Sequence, residues 1–177
     1  MKDIRTIDDN YEHLIDYIAE KFNTNREDLF NSDGNPNSDC GIIYVFKIQD
    51  ADILANELTK KGLKCKAFHA GIKKEIRSKI QYEFMSGEFN VIVQTCAFGM
   101  GVDKKTVRAV VHWSESYSVN AYYQESGRVG RDGQLAFALM LFSHKENENT
   151  RYLLERKVNG EIYHIMREEE ENQTNKR

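Results

Sequence analysis

The 177-residue chain has a single proline, Pro36, only three cysteines, and no excess of positive charge. With 25 Lys and Arg against 28 Asp and Glu, its net charge is −3 and its pI near 6.0. That balance excludes a polybasic nucleic-acid binder that works through a global field. Any nucleic-acid contact has to come from local groups such as backbone amides and a few basic side chains. Cys40, Cys65 and Cys96 are widely spaced, form no CxxC pair and have no histidine at zinc spacing. They read as buried or incidental reduced thiols, not as metal ligands. An odd count without a disulfide framework implies a reducing compartment. Met1-Lys2-Asp3-Ile4-Arg5 leads into polar sequence with no apolar leader run, and no segment approaches the ~20 apolar residues that span a bilayer. The expectation is an intracellular protein with no membrane partner.

What is present suits a folded domain: 40% of residues are hydrophobic and 30% charged, and the length allows one domain with a full core. Tyr11, Leu14, Ile15, Ile18 and Phe22 recur at helical spacing behind Asp8 or Asp9 as N-cap. Residues 23–40 are polar and read as a surface loop. A βα rhythm follows, with strands predicted at 41–46, 64–69, 91–95, 107–113 and 136–142. Helices are predicted at 51–61, with Ile53, Leu54 and Leu58 inward, and at 74–85 and 146–158. The continuously apolar strands point to burial on both faces. The class is therefore α/β, a three-layer αβα arrangement around a mostly parallel sheet. In such sheets ligands gather at the carboxyl ends of the strands, which directs attention to the loops after Phe46, His69, Thr95 and Trp113.

Three segments near those loops carry unusual residues. Tyr122-Tyr123-Gln124-Glu125-Ser126-Gly127-Arg128-Val129-Gly130-Arg131-Asp132-Gly133, read as a helix, sets Gln124, Arg128 and Arg131 on one face. Gly127 and Gly130 each cost roughly 1 kcal/mol relative to alanine inside a helix, so something should approach the backbone there. Two guanidinium forks suit phosphate; the alternative is that they pair with Glu125 or Asp132 on a solvated face. His69-Ala70-Gly71 is either a histidine closing a strand beside a turn glycine or a set of small residues that bare amides to an anion. Thr95 to Asp103 is either an ordinary turn at Gly99 and Gly101 or a ligand loop, with Asp103 placed to accept a sugar hydroxyl.

The GRxGR core, preceded by YYQE and followed by DG, resembles motif VI of the RecQ family of superfamily 2 helicases. FGMGVDK resembles their motif V, FHAG their second-strand motif and GIIYVF the strand of motif IV, in matching order over residues 41–142. FGMG favours RecQ proteins over RNA helicases. The resemblance implies a RecA-like second lobe at 41–158, an entering helix at 1–22 and a charged C-terminal segment at 159–177. It implies a nuclear motor moving 3′ to 5′ on single-stranded or forked DNA with ATP and Mg2+ held mainly by a partner first lobe. Arg131 then resembles an arginine finger reaching the γ-phosphate, with Arg128 contacting phosphate or fixing the interlobe geometry. Gln124 would couple nucleotide to cleft, and Asp103, Gly101 and Gly99 would lie at the nucleotide, with Asp103 at the ribose or bridging to motif VI. Thr95 and His69-Ala70-Gly71 would hold DNA phosphates, and Arg77 and Arg108 receive no role. No Gly-Lys-Ser/Thr triplet and no DExH box occurs, and the zinc cysteines that follow this lobe in many RecQ proteins are missing. The chain is thus expected to be half a motor, inactive alone. Two other readings remain: a non-catalytic DNA-binding or annealing module, and a protein-interaction domain using the 23–40 loop and the acidic end.

Overall fold

The computed structural model describes residues 7–22, 25, 34–95, 103–114, 116 and 118–141. All belong to a unit spanning 1–141; a second unit, 142–177, and with it the predicted 146–158 helix, lies outside the described residues. The order is α1 (Ile7–Lys21), β1 (Cys40–Val45), α2 (Ile48–Lys60), β2 (Cys65–Phe68), α3 (Lys74–Ser86), β3 (Val91–Thr95), β4 (Val107–His112), α4 (Val119–Ser126) and β5 (Phe137–Met140). The five strands form one sheet in the order β2-β3-β1-β4-β5, and every pairing is parallel. Each expected strand is found, with ends shifted by a residue or two.

Alternation along the strands divides the core between the two faces of the sheet. On face one, Ile43, Val45, Val91, Val93 and Val111 meet Leu14, Ile15 and Ile18 of α1 and Leu54 and Leu58 of α2. Burying each such side chain contributes roughly 1.5–3 kcal/mol. Tyr11 and Trp113 stack at 5.5 Å beside this cluster. On face two, Ile42, Tyr44, Phe68, Ile92 and Val110 meet Ile80 and Phe84 of α3.

Some expectations are corrected. α1 begins at Ile7, so Asp8 and Asp9 lie within its first turn and do not cap it. Ile53 is 56% exposed because its position on α2 turns away from the sheet, whereas Leu54 and Leu58 face inward. Only 25 and 34–40 of the predicted 23–40 loop fall among the described residues, and 34–37 are exposed. The loop nevertheless packs: α3 ends on Gly87 in the left-handed region (φ 82°), and a side chain there would strike the Asn35 backbone.

The β1–β4 ladder is irregular at one point, where Cys40 pairs with Val107 but Gly41 with Ala109. Arg108 is the extra residue. A bulge of this kind re-aims a side chain out of strict alternation, and it explains why Val107 and Val110 share face two.

Candidate functional site

The arginine segment is not a continuous helix. α4 is N-capped by Ser118, whose Oγ accepts from Ala121 N at 3.1 Å, and it ends at Ser126. Residues 127–132 are a run of turns, so Gln124, Arg128 and Arg131 do not share a helix face. Gly130 takes φ 62°, a left-handed conformation that L side chains rarely adopt. A Cβ there would lie 2.9 Å from Gln134 O and 3.1 Å from the Ala136 methyl, and Gly130 N donates to Val107 O at 3.0 Å. The close approach that the glycines signal is therefore made by the chain itself. It also places the turn beside the start of β4, not at its carboxyl end.

Three arginines around this turn have three different electrostatic situations. Arg108, its side chain 7% exposed, ties both Asp132 oxygens (3.1 Å from Nη1), and its Nε forms an ion pair with Asp39 at 3.0 Å. The hydrogen bonds from Arg108 hold the Asp132 carboxyl below its ordinary range. Asp39 moves the other way, because burial raises it by more than Arg108 lowers it. Arg131 donates to Asp103 at 2.8 Å in an exposed pair. Arg128 is in no ion pair among the described residues, and its buried Nε has no hydrogen-bond partner there. Neither expected alternative pairing forms: Asp132 belongs to Arg108, and Glu125 accepts from His112 Nε2 at 2.9 Å and from Ser116 Oγ at 2.8 Å.

His112, Tyr44 and Gln94 were not singled out from the sequence, yet they lie together on face two near the carboxyl ends of the three central strands, β4, β1 and β3. His112 is fully buried, stacked on Tyr44 at 5.3 Å and tilted against Tyr122 at 5.1 Å. Gln94, 1% exposed, pairs in register with Tyr44. Burial pushes the Tyr44 hydroxyl up to about 12, against the pull of nearby Arg128. Among the described residues, the Tyr44 hydroxyl, Gln94 Oε1 and Arg128 Nε close no hydrogen bond of ordinary length and angle. A buried polar atom left unpartnered costs about 1–3 kcal/mol, so these three atoms do not themselves add to stability. The one legible signal was a glutamine inside the otherwise apolar Val91-Ile92-Val93-Gln94 run.

At the carboxyl ends of β2 and β3 the site is quieter. Thr95 is buried, and Phe68 pairs with Gln94, which sets His69 beside Thr95 on adjacent strands. His69 is 5% exposed, its Nε2 3.1 Å from Asp52 Oδ1 of α2 and its Nδ1 without a partner. A Cβ at Gly71 would lie 3.2 Å from that Nδ1, while Ala70 and Gly71 are exposed. Gly99 and Gly101 lie outside the described residues, and Gln124 is exposed on α4. The structure thus brings together Asp103 with Arg131, and His69-Ala70-Gly71 with Thr95, but leaves Gln124 apart from the arginines. Among the described residues no group of three or more His, Cys, Asp or Glu could hold a metal ion. The donor set at the turn is cationic and suits phosphate, not a metal.

The fold and the arginine turn define a class: residues 19–133 match the helicase conserved C-terminal domain, and the chain belongs to that family. Within it, the chain is similar to RecQ-type proteins and is a RecQ-type C-terminal lobe. It is 40% identical over 127 residues to ATP-dependent DNA helicase Q5 of Rattus norvegicus, covering 72% of this chain and 13% of that protein. It is 41% identical over 127 residues to RecQ-like DNA helicase BLM of Xenopus laevis, covering 71% of this chain and 9% of that protein. The chain therefore spans only about an eighth or less of these relatives' length. The structure of S. cerevisiae Dbp5 bound to RNA and ADP BeF3 superposes with a TM-score of 0.62 at 21% identity, over 87% of this chain and 37% of that one. At that identity the likeness concerns the fold alone, and it is the RecA-like helicase lobe.

Proposed function

We propose that this chain is the C-terminal motor lobe of an ATP-dependent 3′–5′ DNA helicase, and that it supplies cationic groups to a nucleotide held mainly by a first lobe. The observation that carries the reading is the contrast among the arginines. Among the described residues, Arg108 is saturated by carboxylates, whereas Arg131 is paired with an exposed aspartate and Arg128 with no carboxylate. Exposed ion pairs contribute little, so a phosphate at an interlobe surface can displace Asp103 from Arg131. An arginine finger stabilises charge that develops on the transferred phosphoryl group and in other NTPases contributes roughly 10³ to 10⁵ in rate. Arg131 takes that role here, Arg128 supports the same anion, and Gln124 contacts the nucleotide edge of the cleft. Mg2+ neutralises phosphate charge when bound; its carboxylate ligands belong to the first lobe.

In this reading nucleic acid runs along the other end of the sheet, where the exposed Ala70-Gly71 amides meet backbone phosphates beside the Thr95 strand end. Buried His69 shapes that turn from beneath. Phosphate contacts carry no base information, so little sequence preference is expected. Hydrolysis is tied to lobe closure because Arg131 meets developing charge only when the lobes approach.

The test joins this chain with a first lobe, in cis or in trans, and measures DNA-stimulated ATPase. Arg131→Ala should reduce turnover by roughly 10³-fold with DNA affinity kept. Near-wild-type turnover in that variant sinks the finger assignment. The chain alone should hydrolyse no ATP, and hydrolysis by the pure chain that disappears with Arg131→Ala contradicts the division of the site.

A further inference from the structure

Arg128 is the half-buried guanidinium whose surroundings set it apart from the others. It follows α4 by two residues, next to Val129, which packs into the face-two cluster containing Tyr44. Arg128 lies beside the Tyr44 hydroxyl at the end of β1, and so does Gln94 on β3; among the described residues the Tyr44 hydroxyl, the Gln94 carbonyl oxygen and Arg128 Nε are buried without a hydrogen bond of ordinary length and angle. Tyr44 and Gln94 sit in register with one another, and Tyr44 is clamped by His112, which in turn holds Glu125 of α4. Glu125, the carboxylate that could have claimed Arg128, is taken by His112 and Ser116.

We propose that Tyr44 and Gln94 form an uncharged seat for Arg128, positioning its guanidinium while leaving its charge free for an outside phosphate. Gln94 precedes Thr95, so the same seat links the β3 strand end to the arginine turn. A shift of the strand end on nucleic-acid binding moves the seat and with it Arg128. Tyr44 and Gln94 are positioning residues and touch no substrate themselves. A carboxylate in their place would hold Arg128 more tightly and neutralise it, whereas uncharged acceptors hold it loosely and keep it cationic. This inference rests on the proposed function for its consequence, but the seat itself can be tested on the chain alone.

The first arm is NMR of the chain's arginine side chains, with Arg128 assigned by the loss of its Nε–H signal in Arg128→Lys. The signal should move in both Tyr44→Phe and Gln94→Leu. In Gln94→Glu its hydrogen exchange should slow by about tenfold as a carboxylate captures it. An Arg128 signal with wild-type position and exchange in all three variants overturns the seat. If Gln94→Glu does not fold, the other two variants decide. The second arm measures ATPase in the two-lobe protein, where Gln94→Glu, by neutralising Arg128, should lower DNA-stimulated turnover by about tenfold. Melting temperature supplies the control: Gln94→Leu removes an unpartnered carbonyl and should not lower it, so a change in DNA stimulation there is not a loss of folding. Full DNA stimulation in Gln94→Glu overturns the link to the strand end. If the wild-type two-lobe protein shows no DNA-stimulated ATPase, the proposed function falls and the NMR arm still decides the seat.

Discussion

The two faces of the sheet are built by opposite rules. Face one is a dry core of aliphatic side chains between the sheet and α1 and α2, with its polar residues, His69 and Thr95, confined to the strand ends. Face two has an apolar patch under α3 but, towards the strand ends and under α4, buries a linked set of polar groups, Gln94, His112 and Glu125, and Lys104, also buried, donates to Phe84 O at 2.8 Å. One face sets the stability of the lobe. The other accepts the cost of burying polar groups in order to hold an arginine turn against β4.

Truncating an aliphatic side chain on face one should have the largest effect on stability. Leu58→Ala removes a fully buried side chain from α2 and should cost about 2–5 kcal/mol in urea unfolding, while the Arg128 side-chain NMR signal stays where it is. Movement of that signal would mean the faces are not separable. On face two, Glu125→Ala leaves His112 Nε2 and the Ser116 hydroxyl without their acceptor. It should cost about 3 kcal/mol and, unlike Leu58→Ala, displace the Arg128 signal.

A smaller effect separates the faces by pH. Burial pushes the Cys65 thiol on face one and the Cys40 thiol on face two up to about 11 from an ordinary 9. A thiol whose folded pKa lies above its unfolded one contributes stability that is complete below pH 9 and lost as pH rises towards 11. The urea midpoint should therefore fall between pH 9 and 11, and less steeply in Cys40→Ala and in Cys65→Ala. Neither thiol should react with iodoacetamide at pH 8 in the folded chain. Rapid alkylation there would show that the burial is wrong.

Face one was legible because apolar periodicity is a direct record of it: Leu14, Ile15, Ile18, Leu54 and Leu58 announce themselves by spacing. The five strands and their parallel sheet followed from the βα rhythm; the strand order did not. Face two was only half legible. Gly127, Gly130, Arg128 and Arg131 stood out, but helical periodicity carried the helix too far. The left-handed backbone at Gly130 and its hydrogen bond to Val107 end it, and these depend on a strand far along the chain. Arg108 went unassigned because a bulge cannot be read from one strand; it appears only where Cys40 and Gly41 skip a residue on the partner. Buried polar partners such as His112 and Glu125 are thirteen residues apart in sequence, and no local pattern joins them.

The smallest expected change in stability sharpens the comparison most. Asp103→Asn breaks the exposed pair with Arg131, whose side chains are 77% and 37% exposed, and should alter stability by no more than about 0.5 kcal/mol. Its effect on nucleotide use in the two-lobe protein separates the two roles open to Asp103. If the aspartate only parks Arg131 in the open state, its loss removes a competitor for the guanidinium, and the KM for ATP should fall or stay level. If it instead accepts a ribose hydroxyl, the KM should rise while kcat changes little, since that contact is present equally in ground and transition states. A 2′,3′-dideoxy nucleotide provides the control, because only in the second case should Asp103→Asn raise the KM for ATP and leave that for the dideoxy nucleotide unchanged. Either outcome leaves Arg108 and Asp132 holding the turn to β4. Asp103 can therefore be exchanged without moving the frame on which Arg131 is mounted.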